Sequence, residues 1–171
     1  SASEGQSNDN SYNVDVSSDG RFIAFDSWST NLVSNDINNH RDVFLLDQQT
    51  GLIELVSSTS NGELAMGGGS HAPKLSHDGS KIVYISDASN LDPIRDNNLM
   101  YDVFLKDRAS GETRLLNLND TGTGTFSSTN FSLNLDISRD GLTIVYAGYR
   151  GQNTVTEIGK RLTGMTLDNT T

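Results

Sequence analysis

The chain is short of several residue types that commonly define a site or a partner. It has 171 residues, with no cysteine and two prolines. Without cysteine it can form neither a disulfide nor a thiolate zinc site. Basic residues are also few, with 12 Lys and Arg against 22 Asp and Glu and a formal net charge of −10. Nucleic acids and anionic membranes both attract basic proteins, so we expect neither as a partner.

Long apolar runs and helical patterns are also missing. No apolar stretch approaches the ~20 residues needed to span a bilayer, so we expect no membrane insertion. No segment shows a clear helical period. Short segments that alternate apolar and polar residues between Gly, Asp and Ser instead predict β-strands and an all-β fold. The abundance of Ser, Asn, Thr, Gly and Asp favours an exported protein, periplasmic or extracellular.

The strongest positive signal is a segment that occurs twice and begins a third time. The first copy contains Ser17–Phe25 (SSDGRFIAF) and Asp42–Asp47 (DVFLLD). The second contains Ser76–Tyr84 (SHDGSKIVY) and Asp102–Asp107 (DVFLKD), and the third begins with Ser138–Tyr146 (SRDGLTIVY). Successive copies are 59 to 62 residues apart. A fixed period of this length indicates a repeat architecture.

Each repeat contains four strand candidates joined by connections of alternating length. Asp-Gly turns join the first two strands, where both residues tolerate positive φ, and Gly-containing turns join the last two. Long loops make the other connections, so tight turns lie at one end of each sheet and long loops at the other. Four-stranded antiparallel units in series are typical of β-propeller blades. We therefore predict a partial β-propeller of three four-stranded antiparallel blades within a single domain, 1–171.

The predicted blades span about 11–58, 70–118 and 131–169, and the third is irregular. Segment 150–171 contains no Asp-Val-Phe-Leu-x-Asp, although 154–160 and 165–169 are candidates for its outer strands. In the first blade we expect Phe22, Ala24, Val43 and Leu45 to share one face of the sheet, or to lie on complementary faces if a bulge intervenes. In the second we expect Ile82, Tyr84, Val103 and Leu105 to repeat that arrangement.

The repeated motifs resemble a known family. Ser-x-Asp-Gly-x-x-Ile-x-Phe/Tyr followed by Asp-Val-Phe-Leu-x-Asp is similar to the TolB-like β-propeller repeat. The loops before Asp-Val-Phe resemble those of bacterial exported members, which carry Asn-Leu followed by Asp-x-Asn-x-x-x-Asp. The resemblance is strong over 12–116, weaker over 134–149 and lost over 150–171. It implies propeller blades and an exported protein.

The Asp-x-Asn-x-x-x-Asp loops are the candidate metal sites. Calcium prefers hard oxygen ligands, and short loops of Asp and Asn supply them together with backbone carbonyls. The same residue types also form Asx-turns and cap loop amides, so a purely structural role is the alternative. The two motifs place their three polar residues at a constant offset of 60: Asp36, Asn38 and Asp42, then Asp96, Asn98 and Asp102.

Three blades are fewer than the ~4–8 that close a propeller ring. An open array would leave a strand edge and apolar sheet faces uncovered. We therefore expect either a part of a longer propeller or self-association, with a dimer as the first choice because two copies reach six blades. A protein or glycan ligand is expected at the long-loop face, where variable loops meet.

No defensible catalytic constellation emerges from the sequence. We assign no catalytic residue and predict a non-catalytic binding or scaffold module of an exported bacterial protein, stabilised by calcium. The alternative is a propeller fragment of a glycan-active hydrolase or lyase. Titratable side chains that converge on the long-loop face around a pocket would favour this alternative.

Overall fold

The computed structural model describes residues 6–96, 100–118 and 135–146, together with the backbone of residues 160 and 161. Every regular element in these ranges is a β-strand. The same ranges contain no helix that is long and apolar enough to cross a membrane. The predicted all-β class is therefore confirmed.

The strands form three antiparallel sheets, which we call blades 1 to 3. Each sheet follows the order of its strands along the chain, so the tight turns lie at one end and the long loops at the other. Blade 3, predicted as an irregular four-stranded sheet, has three short strands in the described residues. Its outer strands expected at 154–160 and 165–169 lie outside the described residues, except for the backbone of residue 160. The strands are β1 Ser11–Val16, β2 Phe22–Ser27, β3 Asp42–Asp47 and β4 Leu52–Leu55 in blade 1; β5 Ser70–Leu75, β6 Lys81–Ser86, β7 Asp102–Asp107 and β8 Thr113–Leu115 in blade 2; and β9 Leu135–Ile137, β10 Thr143–Tyr146 and β11 Lys160–Arg161 in blade 3.

The Ser-x-Asp-Gly turn is built the same way in all three blades. Ser17 Oγ donates to Asp19 Oδ1 (2.6 Å) and accepts the Phe22 N–H (2.9 Å). Asp19 Oδ1 also accepts the Arg21 N–H (3.0 Å). Both residues of the Asp-Gly pair tolerate positive φ, but only the glycine adopts it, with φ +74° at Gly20. The aspartate is instead held in place by the two hydrogen bonds that its Oδ1 accepts, from Ser17 Oγ and from the Arg21 N–H.

The second residue of each turn links neighbouring blades. The Ser18 N–H donates to the His77 carbonyl (3.0 Å), and the His77 N–H donates to the Arg139 carbonyl (3.2 Å). The His77 ring also lies between them, with Nε2 2.9 Å from Ser18 Oγ and 2.8 Å from Arg139 Nη2. The tight-turn end of the three blades is therefore connected by a regular ladder of hydrogen bonds.

Two apolar clusters fill the spaces between the blades. We call the sheet face that meets the next blade the back face and the one that meets the preceding blade the front face. The first cluster joins the back face of blade 1 to the front face of blade 2, and the second joins the back face of blade 2 to the front face of blade 3. The first contains Phe22, Ala24, Val43, Leu45, Leu75, Ile82, Tyr84, Phe104 and Leu115, and the second contains Val83, Ile85, Val103, Leu105, Ile137, Ile144 and Tyr146.

The predicted face of blade 1 is confirmed, because its four residues all lie in the first cluster. The prediction for blade 2 was wrong. Ile82 and Tyr84 lie on the front face, whereas Val103 and Leu105 lie on the back face. The register is the same as in blade 1, but Ile82 and Tyr84 are the counterparts of Ile23 and Phe25, one residue away from the positions of Phe22 and Ala24. A shift of one residue along β6 exchanges the two faces.

Candidate functional site

Asp42 lies at the start of β3, at the long-loop end of blade 1, and is fully buried. Its Oδ1 accepts a hydrogen bond from Ser57 Oγ (2.6 Å), and its Oδ2 accepts one from Asn38 Nδ2 (2.8 Å). Burial raises the pKa of the Asp42 carboxyl to about 6, and the nearby Asp36 charge adds to this. Since Ser57 follows β4, Asp42 ties the beginning of β3 to the end of β4.

Asn38 is oriented by the loop itself. Its Oδ1 accepts the N–H of His40, two residues further on (2.7 Å), which is the geometry of an Asx-turn. Its Nδ2 donates to the Ala65 carbonyl (2.9 Å) as well as to Asp42. Asn38 therefore attaches the loop to the connection between blades 1 and 2. Its nitrogen faces Asp42, so the amide oxygen points away from that carboxylate.

Asp36 differs from the other two residues of its motif. It is 4% exposed, and neither carboxylate oxygen has a hydrogen-bond partner among the described residues. Burial raises the pKa of Asp36, and the nearby Asn38 backbone N–H offsets part of this rise. A buried polar atom without a partner costs free energy, and binding a proton or a cation would offset that cost at Asp36.

The second motif keeps the same plan. Asp102 is fully buried at the start of β7 and accepts a hydrogen bond from Asn117 Nδ2 (2.5 Å). Asn117 takes the place of Ser57, and its Oδ1 accepts the Val103 N–H (2.8 Å) just as Ser57 Oγ accepts the corresponding amide in blade 1 (3.0 Å). Asp96 is also buried. Asn98 lies outside the described residues.

The fit of these loops to calcium is therefore mixed. The free oxygens of Asp36 and the adjacent Asp42 carboxylate are suitable donors for a hard cation. Asn38 is engaged as an Asx-turn. Within the described part of the chain, no three His, Cys, Asp or Glu side chains come together as a metal cluster. A calcium ion here would need backbone carbonyls and water to complete its ligand shell.

Two asparagines that the metal prediction left out hold the segments that lead into blades 1 and 2. Asn31 Oδ1 accepts a backbone N–H of segment 6–8 (3.1 Å), and its Nδ2 donates to a carbonyl of the same segment (3.0 Å). Asn90 makes the same pair of bonds with segment 64–66 (2.8 and 2.9 Å). In the sequence, the repetition of Asn-Leu at an offset of 59 is the pattern that marks these two asparagines. These residues position the long-loop end.

A buried ion pair that sequence reasoning missed lies beside the inner strands. Asp26 is fully buried, and its Oδ1 accepts a bond from Arg41 Nε (2.6 Å). Its Oδ2 accepts bonds from Asn13 Nδ2 and the Ala72 N–H, both at 2.9 Å. The guanidinium also stacks on Tyr12, 4.7 Å from the ring centroid. Asp26 is fully paired and joins blade 1 to β5, so its role is structural.

The long-loop end also presents exposed apolar side chains. An isoleucine projects outward from the β2–β3 loop and from the corresponding β6–β7 loop. Ile37 is 77% exposed and Ile94 is 91% exposed. Tyr101 packs edge-on against His71 with 5.0 Å between ring centroids, and burial lowers the pKa of His71. The exposed large apolar residues at this end are Tyr12, Trp28, Ile37, Met66, Ile94 and Tyr101.

Solved structures with the same fold support the propeller interpretation. TolB from Acinetobacter baumannii matches 93% of this chain and 33% of its own length, with a TM-score of 0.55 and 17% identity. A putative TolB from Agrobacterium tumefaciens matches 95% of this chain and 46% of its own length, with a TM-score of 0.57 and 18% identity. An oligogalacturonate lyase in complex with manganese matches 95% and 38%, with a TM-score of 0.51 and 14% identity.

The chain therefore has a TolB-like β-propeller fold. It spans a third to just under half of the length of these three proteins. Identities of this size show the fold alone. No protein-family model matches the sequence, and no curated protein does so either.

Proposed function

We propose that the chain is a non-catalytic binding module of an exported bacterial protein and that its long-loop end is the ligand surface. The observation that carries this proposal is the concentration of exposed apolar side chains at that end, six of the eleven found in the described residues. Contiguous exposed apolar surface is typical of interaction sites. Two features of the sequence support export: the composition rich in Ser, Asn and Asp, and the resemblance of the repeat motif to bacterial exported proteins.

A protein ligand fits this surface better than a glycan. Its two most exposed residues, Ile37 and Ile94, are aliphatic, and aliphatic side chains bind apolar protein surface. Sugar rings stack on open aromatic faces. Tyr12 is covered on one face by Arg41, which leaves Trp28 as the principal exposed ring for a glycan.

The test compares capture of proteins from bacterial periplasmic extracts by the immobilised chain and two variants. Ile37→Asp combined with Ile94→Asp should abolish retention of any specific partner. Leu52→Asp is the matched control, because Leu52 is 64% exposed and lies at the tight-turn end. Equal recovery by all three proteins would refute a ligand surface at the long loops. A Trp28→Ala effect on a glycan array, without any captured protein, would replace the protein ligand by a glycan.

Calcium stabilisation is the second part of the proposal. Asp36 supplies two buried oxygens without partners among the described residues, and its charge adds to the rise in the pKa of the nearby Asp42 carboxyl. A divalent cation would relieve this repulsion, and the net charge of −10 raises the local cation concentration. With so few carboxylates per site, we expect dissociation constants on the order of 10⁻⁴–10⁻³ M.

The calcium test measures melting temperature and calorimetric binding in calcium chloride and in a chelator. A hundredfold excess of calcium over the dissociation constant should stabilise the native state by about 2.7 kcal/mol per site. Asp36→Asn should remove the contribution of the first loop. Glu63→Gln is the control, because it removes the same charge from an exposed residue. If calcium leaves the melting temperature unchanged, the loops are Asx-turns only.

The fold similarity to an oligogalacturonate lyase favours one alternative, a propeller fragment of a glycan-active hydrolase or lyase. A lyase reaction on oligogalacturonate eliminates the glycosidic oxygen and leaves an unsaturated sugar end that absorbs in the ultraviolet. Incubation of the chain with oligogalacturonate and manganese should give no such absorbance if the proposed binding role is correct. Product formation would support the enzyme.

A further inference from the structure

The front face of blade 1 is the one front face that no described blade covers. Val16 of β1 is 54% exposed. Its counterparts in the next two blades, Leu75 and Ile137, lie at the same place before the Ser-x-Asp-Gly turn and are each 8% exposed. The sequence keeps an apolar residue at all three positions, but only the later two are covered.

The neighbouring strand shows the same difference. Ile23 and Phe25 point to the front face of blade 1 and are only half-buried. Their counterparts Ile82 and Tyr84 are fully buried against blade 1. The contrast extends to β4, where Leu55 is half-buried, while its counterpart in β8 is fully buried. The front face of blade 1 is thus an apolar sheet surface built for contact.

The back face of blade 3 is uncovered in a complementary way. Val145 in β10 is 41% exposed. The residues at the same place in β2 and β6 are Ala24 and Val83, and both are fully buried at the contacts between blades. The described chain therefore has one open front face and one open back face, at opposite ends of the array.

Both internal contacts show what covers a front face, because each pairs it with the back face of the preceding blade. We infer that the front face of blade 1 binds the back face of blade 3 of a second copy of this chain. The contact is heterologous, head to tail. When it forms twice, two copies close a six-bladed ring with two-fold symmetry. This assembly does not depend on any ligand at the long-loop end.

The polar groups at the edges of blade 3 favour this occupant. Across the first internal contact, Asp15 Oδ2 accepts the Leu75 N–H (2.8 Å). Blade 3 has Asp136 at the position of Asp15, whereas blade 2 has Lys74 there. Asp136 Oδ1 accepts the Ile137 N–H of its own strand (2.9 Å), so Oδ2 is the oxygen that can accept the Val16 N–H of a second copy, where Val16 takes the position of Leu75.

The ladder at the tight-turn end continues in the same direction. Ser18 donates its N–H to His77, and His77 donates its N–H to Arg139. The next step of this pattern is donation from the Arg139 N–H to the Ser18 carbonyl of a second copy. In a closed dimer the ladder becomes continuous around all six turns. Apolar faces, the Asp136 acceptor and the turn ladder therefore fit one and the same contact.

The first test is the mass of the unmodified chain by sedimentation equilibrium and light scattering across micromolar concentrations. The expected result is twice the single-chain mass. A monomer throughout this range overturns the inference, since the face would then need another occupant, such as a blade of a longer polypeptide. Any other assembly size overturns the six-bladed ring.

Charge substitutions identify the faces involved. Val16→Asp and Val145→Asp should each give monomers. Ile94→Asp, the control at the long-loop end, should remain a dimer. Circular dichroism checks that each variant keeps its strands, and Val16→Asp alone decides the front face if Val145→Asp does not fold. A dimeric Val16→Asp variant overturns the inference. If only Val145→Asp remains dimeric, the copies pair front to front, and the head-to-tail arrangement is wrong.

Mixing separates the head-to-tail contact from every symmetric alternative. The Val16→Asp variant keeps an intact back face, and the Val145→Asp variant keeps an intact front face. An equimolar mixture should therefore form a heterodimer through one intact contact, although each variant alone is monomeric. Failure of the mixture to associate, with both variants folded, overturns the head-to-tail contact.

Discussion

Phe104 is the best position at which to measure the strength of the contact between blades 1 and 2. Its side chain is fully buried in the first apolar cluster, and its ring stacks on Tyr84 with 6.0 Å between centroids. Phe104→Ala removes the ring from a space closed on both sides by sheets. Such truncations cost about 3–5 kcal/mol through lost transfer energy and the residual cavity. That is a large share of the ~5–15 kcal/mol that stabilises a typical domain.

Equilibrium unfolding in urea measures this loss. Far-UV circular dichroism reports on the strands, and Trp28, the only tryptophan, reports on blade 1. The midpoint should fall while the slope with urea stays unchanged, since the surface exposed on unfolding is the same. Phe44→Ala is the matched control: Phe44 is also buried and stacks on Phe25 at 5.8 Å, but it lies on the front face of blade 1, against which no described blade packs. At concentrations too low for association it should cost less, because its neighbours Phe25 and Leu55 are only half-buried and no facing sheet holds the cavity open. A Phe104→Ala loss below about 1 kcal/mol would refute the packing of blade 2 against blade 1.

Three further predictions concern the turns and connections. Gly79→Ala should lower the melting temperature more than Gly111→Ala, because both have positive φ (+66° and +75°) but only a Cβ at Gly79 would meet the Phe22 ring, at 2.5 Å. A backbone hydrogen bond and Ser hydroxyls lower the pKa of Asp78 to about 2. The stability that the ionised Asp78 contributes should therefore be lost as the pH falls from about 4 to about 2. In an acid titration of stability, Asp78→Asn should lack this loss. Asn90→Ala should cost about 1–3 kcal/mol by leaving backbone groups of segment 64–66 without partners, and faster amide exchange in that segment would show it.

The blades were predictable because the turn motif and the apolar pattern of the strands recur together in each repeat. Ser, Asp and Gly set the turn at Ser17–Gly20, and alternation in the flanking strands sets which residues face the cores. The error over Ile82 and Tyr84 arose because β6 has apolar residues at consecutive positions, so periodicity cannot assign its two faces. Strands buried on both faces have this ambiguity in general.

The polar interior was less predictable. Asp26 occurs once and has no counterpart in blade 2, where the position is Ile85, so no repeat drew attention to it. Its partners Arg41 and Ala72 come from other parts of the fold, and only the tertiary structure brings them together. Asn38 was recognisable as a loop residue, but the choice between ligand and Asx-turn depends on where its amide points.

Blade 2 contributes to both apolar clusters and is therefore packed on both of its faces. In linear arrays of units that contact only their neighbours, local opening is easiest at the ends. The backbone amides of β6 and β7 should therefore exchange with solvent only through near-global unfolding, whereas β1 and β10 open by loss of a single contact. Blade 2 is thus the part of the chain that should open last, and truncation inside it should leave no native-like remainder.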